Sequence, residues 1–171
     1  MYDPQELASF AVAEFKRGLV GITNEESRKH FAKADGSEMN SVSWTVGHVA
    51  AHWAMVVAQV TGRDLPRLEM SRYFGSTANP APPSMEAALE QFAAATSGIE
   101  TWVSVRDEVM IRSLGGDDVS QALMRLILHT WFHIGEINAM RQLLGHPEIQ
   151  FLGPSTPPAW KASNQGAGSR Q

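Results

Sequence analysis

The most constraining stretch of this chain is Leu128–Gly145, LHTWFHIGEINAMRQLLG. It is apolar along most of its length, yet it carries His129 and His133 four residues apart. On a helix, four residues advance about 400°, so both rings leave the same side of the rod one turn apart. Leu126, His129, His133, Glu136, Met140 and Leu143 form a single stripe at spacings of three and four. Two imidazoles and a carboxylate on an otherwise apolar face all need partners in a dry site. A metal ion is one such partner, and HxxxH is the spacing one helix offers it. A hydrogen-bond network inside a bundle is the other.

A second pair, His48 and His52, repeats the spacing farther upstream, among Trp44, Val49, Ala51, Trp53 and Met55. One pair on each of two helices is more specific than either pair alone, because bundle-core metal sites are built from side chains on facing helices. His30 and His146 fall in or near loops and read as ordinary surface residues. Imidazoles without thiolates suit zinc, nickel, copper or iron(II) and disfavour calcium and magnesium. Three histidines with one open position form a catalytic pattern, and a closed set of four is less reactive. Glu136, one turn beyond His133, is a candidate acceptor that orients a ligand ring, a general base, or merely a hydrogen-bond acceptor within the bundle, with the orienting role ranked first.

The remaining pattern is helical. Asp3-Pro4-Gln5-Glu6 is a helix start, with Asp3 as cap, Pro4 at the first helical position and Glu6 able to close a capping box. A first helix is expected from Pro4 to Ile22, with a short continuation through Glu25–Phe31, then a polar loop around Gly36. Asn40 or Ser41 caps a second helix over Val42–Thr61, where Val42, Val46, Val49, Trp53, Val56 and Val60 alternate by four and three. Leu65–Pro83 is a long irregular connection containing Arg72 and Tyr73, and a lid or crossover is expected there. Ser84 caps a third helix over Met85–Val105, with Leu89, Phe92, Ile99, Trp102 and Val103 as core. Gly115-Gly116 breaks the chain before a fourth helix over Val119–Leu144, which ends at Gly145 and Pro147. The fold class expected is all-α: a four-helix bundle over residues 1–152 with a long crossover loop before the third helix, followed by a loose tail over residues 153–171.

Composition narrows the function. With 171 residues, 43% hydrophobic and 19% charged, the chain builds a substantial core. A net charge of −4 with no basic cluster argues against nucleic acid and anionic membranes. Met39–Gly62 has no Asp, Glu, Lys or Arg. Its asparagine, serines, threonines, histidines and glutamine are too polar for lipid, so a buried helix is expected and not a membrane span. The N-terminal MYDPQELASF is polar and acidic, unlike a secretory leader, which sets a cytoplasmic expectation. There is no cysteine, so thiol chemistry would need a thiol from outside.

Two patches carry a family resemblance. Asn40-Ser41-Val42-Ser43-Trp44-Thr45-Val46-Gly47-His48 is similar to an N-S-x-x-W-x-x-x-H helix start. His129-x-x-x-His133-x-Gly135-Glu136-Ile137, followed by Arg141 and Leu144-Gly145-x-Pro147, is similar to an H-x-x-x-H-x-G-[QE]-I ending. Together, over Pro4 to Phe151, the chain resembles the DinB/YfiT-like superfamily of metal-dependent enzymes. The resemblance implies a four-helix bundle, often a homodimer, holding a divalent metal ion on three histidines: His48, His129 and His133 here. Related families place the ligand of the second helix one turn later, at His52, so the choice stays open, with His48 favoured. It also implies thiol-dependent activity: transfer of a low-molecular-weight thiol to an electrophilic small molecule, or a related isomerisation. Zinc or nickel would be the cofactor, with iron(II) also suited. Tyr73, Arg72 and Trp102 are candidate substrate contacts. The alternatives are a non-catalytic metal-binding or stress-associated protein, and a structural dimer bundle. The run Leu126–Ile134 is apolar on nearly every side, so burial all round is expected, by the bundle or by a partner.

Overall fold

The computed structural model describes residues 4–61, 81–99 and 119–150. Among them are four α-helices: α1 (Pro4–Gly18), α2 (Val42–Thr61), α3 (Met85–Thr96) and α4 (Val119–Leu143). A 3-10 turn covers Glu26–Arg28, and the described residues contain no strand beyond one isolated bridge between Ala32 and Glu38. The fold is all-α, a four-helix bundle. Leu65–Pro80 of the expected crossover and the tail over residues 153–171 lie outside the described residues.

α2 occupies the centre, packed against both α3 and α4, while α1 packs on α4. Phe15 of α1 meets Phe92 of α3 with ring centroids 4.8 Å apart, which closes the ring of helices. The charge-free stretch is therefore the buried central helix. Val42, Val46, Val49, Trp53 and Val56 are all buried, and so are Trp44, Ala50, Ala51, Ala54 and Val57 on its other sides. A helix touched from several directions can carry no charge without an uncompensated desolvation cost. No helix among the described residues is long and apolar enough to cross a membrane.

Local chemistry sets the helix ends. Ser41, and not Asn40, caps α2: its Oγ accepts from the Trp44 N–H at 3.3 Å. Ser84 Oγ accepts from the Ala87 N–H at 3.2 Å, and Asn24 Oδ1 takes the Met85 N–H at 2.9 Å, so two free donors of α3 are satisfied. α4 ends in a Schellman motif. Gly145 is left-handed (φ 85°), its N–H bonds the Gln142 carbonyl, and the His146 N–H bonds the Arg141 carbonyl.

Two helices are shorter than their periodicity suggests. α1 stops at Gly18, not Ile22, and the Glu25–Phe31 continuation reduces to the short 3-10 turn. The N–H groups of Leu19, Val20 and Ile22 each bond the carbonyl three residues back, and Gly21 turns left-handed at φ 82°. Leu19 and Ile22 remain buried, so the apolar pattern continues past the helix that carried it. α3 ends at Thr96, and Gly98 just beyond takes φ 70°; residues 100–105 of the expected span, with Trp102 and Val103, lie outside the described residues. Ile99 beyond the break is still core, whereas Leu89 is an exposed residue and not a core one.

Arg141 closes the end of α1. Its side chain is buried, and its Nη1 donates to the carbonyls of Gly18 at 3.1 Å and Val20 at 2.6 Å. These are carbonyls that the end of α1 leaves without helical partners. Arg141→Ala is expected to destabilise the fold by about 2–3 kcal/mol, since two hydrogen bonds from a charged donor are lost and the Gly18 carbonyl stays buried. Chemical denaturation of the two proteins measures this, and an unchanged midpoint would refute the capping role.

α4 is not buried all round. Leu123, Leu126, Ile127, Ile134 and Ile137 face the core, but Met124, Leu128 and Phe132 stand exposed at successive i, i+4 positions, Phe132 at 69%. Only one side of the helix meets α1 and α2, and the opposite stripe of this single chain faces outward.

Candidate metal centre

The two helices that carry the histidine pairs are held in register by a polar link beside them. Trp53 Nε1 donates to Thr130 Oγ1 at 3.0 Å, and Thr130 Oγ1 donates to the Leu126 carbonyl at 2.8 Å. All of this is buried. Trp53 follows His52 and Thr130 follows His129, so this bond brings the two HxxxH pairs face to face. Composition and spacing did not single out Thr130. Its position directly after a ligand-type histidine was the only available signal.

All four histidines meet. His129 Nε2 lies 3.1 Å from His48 Nε2 and 3.1 Å from His133 Nε2. The His52 ring lies 4.3 Å from the His129 ring and 4.6 Å from the His48 ring, centroid to centroid. His48, His52 and His129 form a group whose ligand nitrogens all lie within 4.8 Å of one another, the arrangement needed to hold a metal ion. His133 is buried, and the other three are partly so. His30 and His146 are engaged elsewhere: His30 Nδ1 contacts the Met39 carbonyl at 3.0 Å, and His146 Nε2 stands 3.2 Å from Glu26. Each is only about one-fifth exposed, so neither is the open surface residue expected from its loop position.

Glu136 Oε2 accepts from His133 Nδ1 at 2.7 Å. That bond holds the Nδ1 proton, so a neutral His133 presents a lone pair at Nε2, towards His129. Trp44 stacks on His48, with centroids 4.9 Å apart and planes inclined by 12°. The Trp44 Nε1 is buried without a partner, so what the ring supplies is a flat surface against the imidazole.

Burial pushes the pKa of His129 down to about 3, and that of His52 to about 4, with the neighbouring histidines adding to the effect in both. At neutral pH these rings carry no charge and can offer lone pairs.

Hydrogen bonding alone does not satisfy the cluster. A ring nitrogen is a donor or an acceptor, never both. His129 Nε2 faces two other Nε2 atoms at the same distance, and one proton serves only one of them well. His129 Nδ1 is buried without a partner. Nitrogens around a tetrahedral zinc, at bond lengths near 2.0–2.1 Å, stand roughly 3.3 Å apart. The 3.1 Å separations here are close to that spacing. The donor set is all imidazole and fits a borderline cation.

A family model for the DinB superfamily matches residues 22–137, more than half of the chain. The chain belongs to the DinB superfamily. The matched span holds His48, His52, His129, His133 and Glu136 together. No curated protein and no solved structure matches the chain. Arg72, Tyr73 and Trp102, expected at the substrate, lie outside the described residues.

Proposed function

We propose that this DinB-superfamily chain is a divalent-metal-dependent enzyme that transfers a small external thiol to an electrophilic molecule. His48, His129 and His133 are its metal ligands. The observation that carries the reading is the placement of His129 Nε2 at 3.1 Å from both His48 Nε2 and His133 Nε2. Zinc or nickel in this nest would supply a Lewis acid that lowers the pKa of a thiol or water held at its open position.

The chain's own residues do the rest. Glu136 fixes the His133 tautomer so that Nε2 faces the ion, and acts as a positioning residue in preference to a general base. Trp44 holds the His48 plane. His52 stands beside the three ligands and lines the neighbouring pocket. In the transfer, the thiol loses its S–H proton, the sulfur forms a bond to an electrophilic carbon, and the leaving group departs with the bonding electron pair. The chain contains no cysteine, so the sulfur is that of the cosubstrate. The exposed Met124–Leu128–Phe132 stripe is the face on which the expected homodimer would close.

Zinc- or nickel-loaded protein should accelerate the reaction of L-cysteine with monochlorobimane above that of the chelated protein. A chain that takes up neither metal, or a loaded chain with no acceleration, would overturn the enzymatic reading. A second reading rests on His52, which lies in the same group as His48 and His129. If it supplies a fourth ligand, the site closes and the protein holds metal without turnover.

Glu136→Gln keeps the shape of the side chain but removes the carboxylate acceptor. It is expected to weaken zinc binding 10–100-fold, the size of effect found when an oriented ligand loses its carboxylate support. Competition titration with a chromophoric chelator measures this. Unchanged affinity would show that Glu136 plays no part in holding His133.

A further inference from the structure

Between α2 and α4, beside the histidine cluster, lies an open pocket of about 240 Å³. Met55 and Val56 wall it from α2, and Ala122 and Leu126 from α4. Val56, Ala122 and Leu126 are buried and Met55 is partly so, which makes these walls part of the packed core. His52 and His129 border the pocket on the side of the cluster. On each helix the lining positions are three or four residues apart and run away from the histidine, so two facing stripes form the walls and the imidazoles form one end. Arg125 also lines the pocket, but it already takes part in an interaction of its own and is not an open charge for a ligand.

Resting on the reading of the histidine cluster as a reaction centre, we infer that this pocket holds the uncharged, apolar body of the electrophile, about one six-membered ring in size, with its reactive carbon at the imidazole end. A cavity of about 150 Å³ holds benzene, and clefts for drug-sized ligands begin near 300 Å³. The volume here falls between the two, which leaves room for one ring and a short arm. None of the four wall side chains carries a nitrogen or an oxygen, so a charged group placed among them loses its hydration without gaining a partner. Met55 adds a polarizable thioether, which adapts to a flat ring and makes favourable contacts at its edge. In the reading of the metal centre the sulfur takes the open coordination position, and the pocket beside it falls to the other reactant.

Benzyl alcohol is an unreactive probe of this size. Proton NMR titration of the full-length, metal-free protein should show it bound, with ring-current shifts on the imidazole protons of His52 and His129 and none on those of His30 or His146. The para-hydroxymethylbenzoate anion, the same ring with a carboxylate added, should bind weaker by about tenfold or more, because its charge has no partner in the pocket. Ala122→Leu fills the pocket from α4 and should weaken benzyl alcohol by about tenfold or more. Met55→Phe, at a half-buried position, does the same from α2 and serves where Ala122→Leu does not fold, which melting temperatures check. Equal binding of the two probes, shifts at His30 or His146 in place of His52 and His129, unchanged affinity in a folded variant, or no binding of benzyl alcohol would overturn the inference.

Zinc uptake separates this inference from the reading beneath it. A chain that takes up zinc but binds the two probes equally loses the pocket assignment alone. A chain that binds benzyl alcohol at His52 and His129 but takes up no metal keeps the pocket and loses the metal reading. In the zinc-loaded protein, benzyl alcohol should raise the KM for monochlorobimane and leave that for L-cysteine unchanged. Competition with L-cysteine instead would give the pocket to the thiol and overturn its assignment to the electrophile.

Discussion

His129→Ala is expected to abolish the metal uptake that the unmodified chain shows with zinc or nickel. His129 is the middle of the site, its Nε2 equidistant at 3.1 Å from those of His48 and His133. Without it, the two remaining nitrogens come from different helices and no longer share a neighbour. Affinity should fall by more than the 10–100-fold attached to a supporting residue. Thermal melting reads the difference. A ligand at a hundred times its dissociation constant stabilises the fold by about 2.7 kcal/mol. For a chain of this size, that raises the melting temperature by roughly 5–10 °C. The unmodified protein should show this rise and His129→Ala should not. Each protein is compared with and without metal, so any folding cost of the substitution cancels. A rise retained in His129→Ala, or absent from the unmodified chain, would sink the three-histidine site.

Acidification of the metal-free protein should cost stability well above the range where carboxylates titrate. In the fold, His129 and His52 stay neutral down to about 3 and about 4, because burial disfavours their charged forms. In the unfolded chain, both rings titrate near 6.5. Above 6.5 neither state holds these protons, and stability is at its full value. Below 6.5 the unfolded state binds protons that the folded state refuses, so stability falls with pH until the folded rings titrate as well. The melting temperature should therefore drop by several degrees between about pH 6.5 and pH 4. The double variant His129→Ala with His52→Phe should give a flatter profile over that window. Identical slopes in the two proteins would show that these histidines are not held neutral by the fold.

How much was legible beforehand depends on the range of the physics involved. α2 was readable to the residue, because a valine stripe, a serine cap and a terminal glycine at Gly62 are all local signals. The Gly145 stop was readable for the same reason. α1 and α3 were overestimated, because apolar spacing continues through Leu19, Ile22 and Ile99 after the backbone has turned. Periodicity reports which side is buried and is blind to the turns at Gly21 and Gly98. Of the all-round burial expected of α4, by the bundle or by a partner, the bundle of one chain covers only part: Leu128 and Phe132 stand outside it, because composition does not say which neighbour covers a face.

By itself, the sequence determined the helix class, the two HxxxH faces, the absence of any internal thiol and the Glu136–His133 spacing. Each of these follows from residue identity and the 3.6-residue turn. Only the tertiary structure decided that the two faces meet. That depends on α2 lying against α4 in one register, held by the Trp53–Thr130 bond between residues 77 positions apart. It also decided that His52 joins the cluster, that an apolar-walled pocket opens beside it and that burial strips the charge from His129 and His52. Helical spacing places side chains within one rod. Desolvation, convergence of lone pairs and the shape of a cavity exist only once two rods are packed.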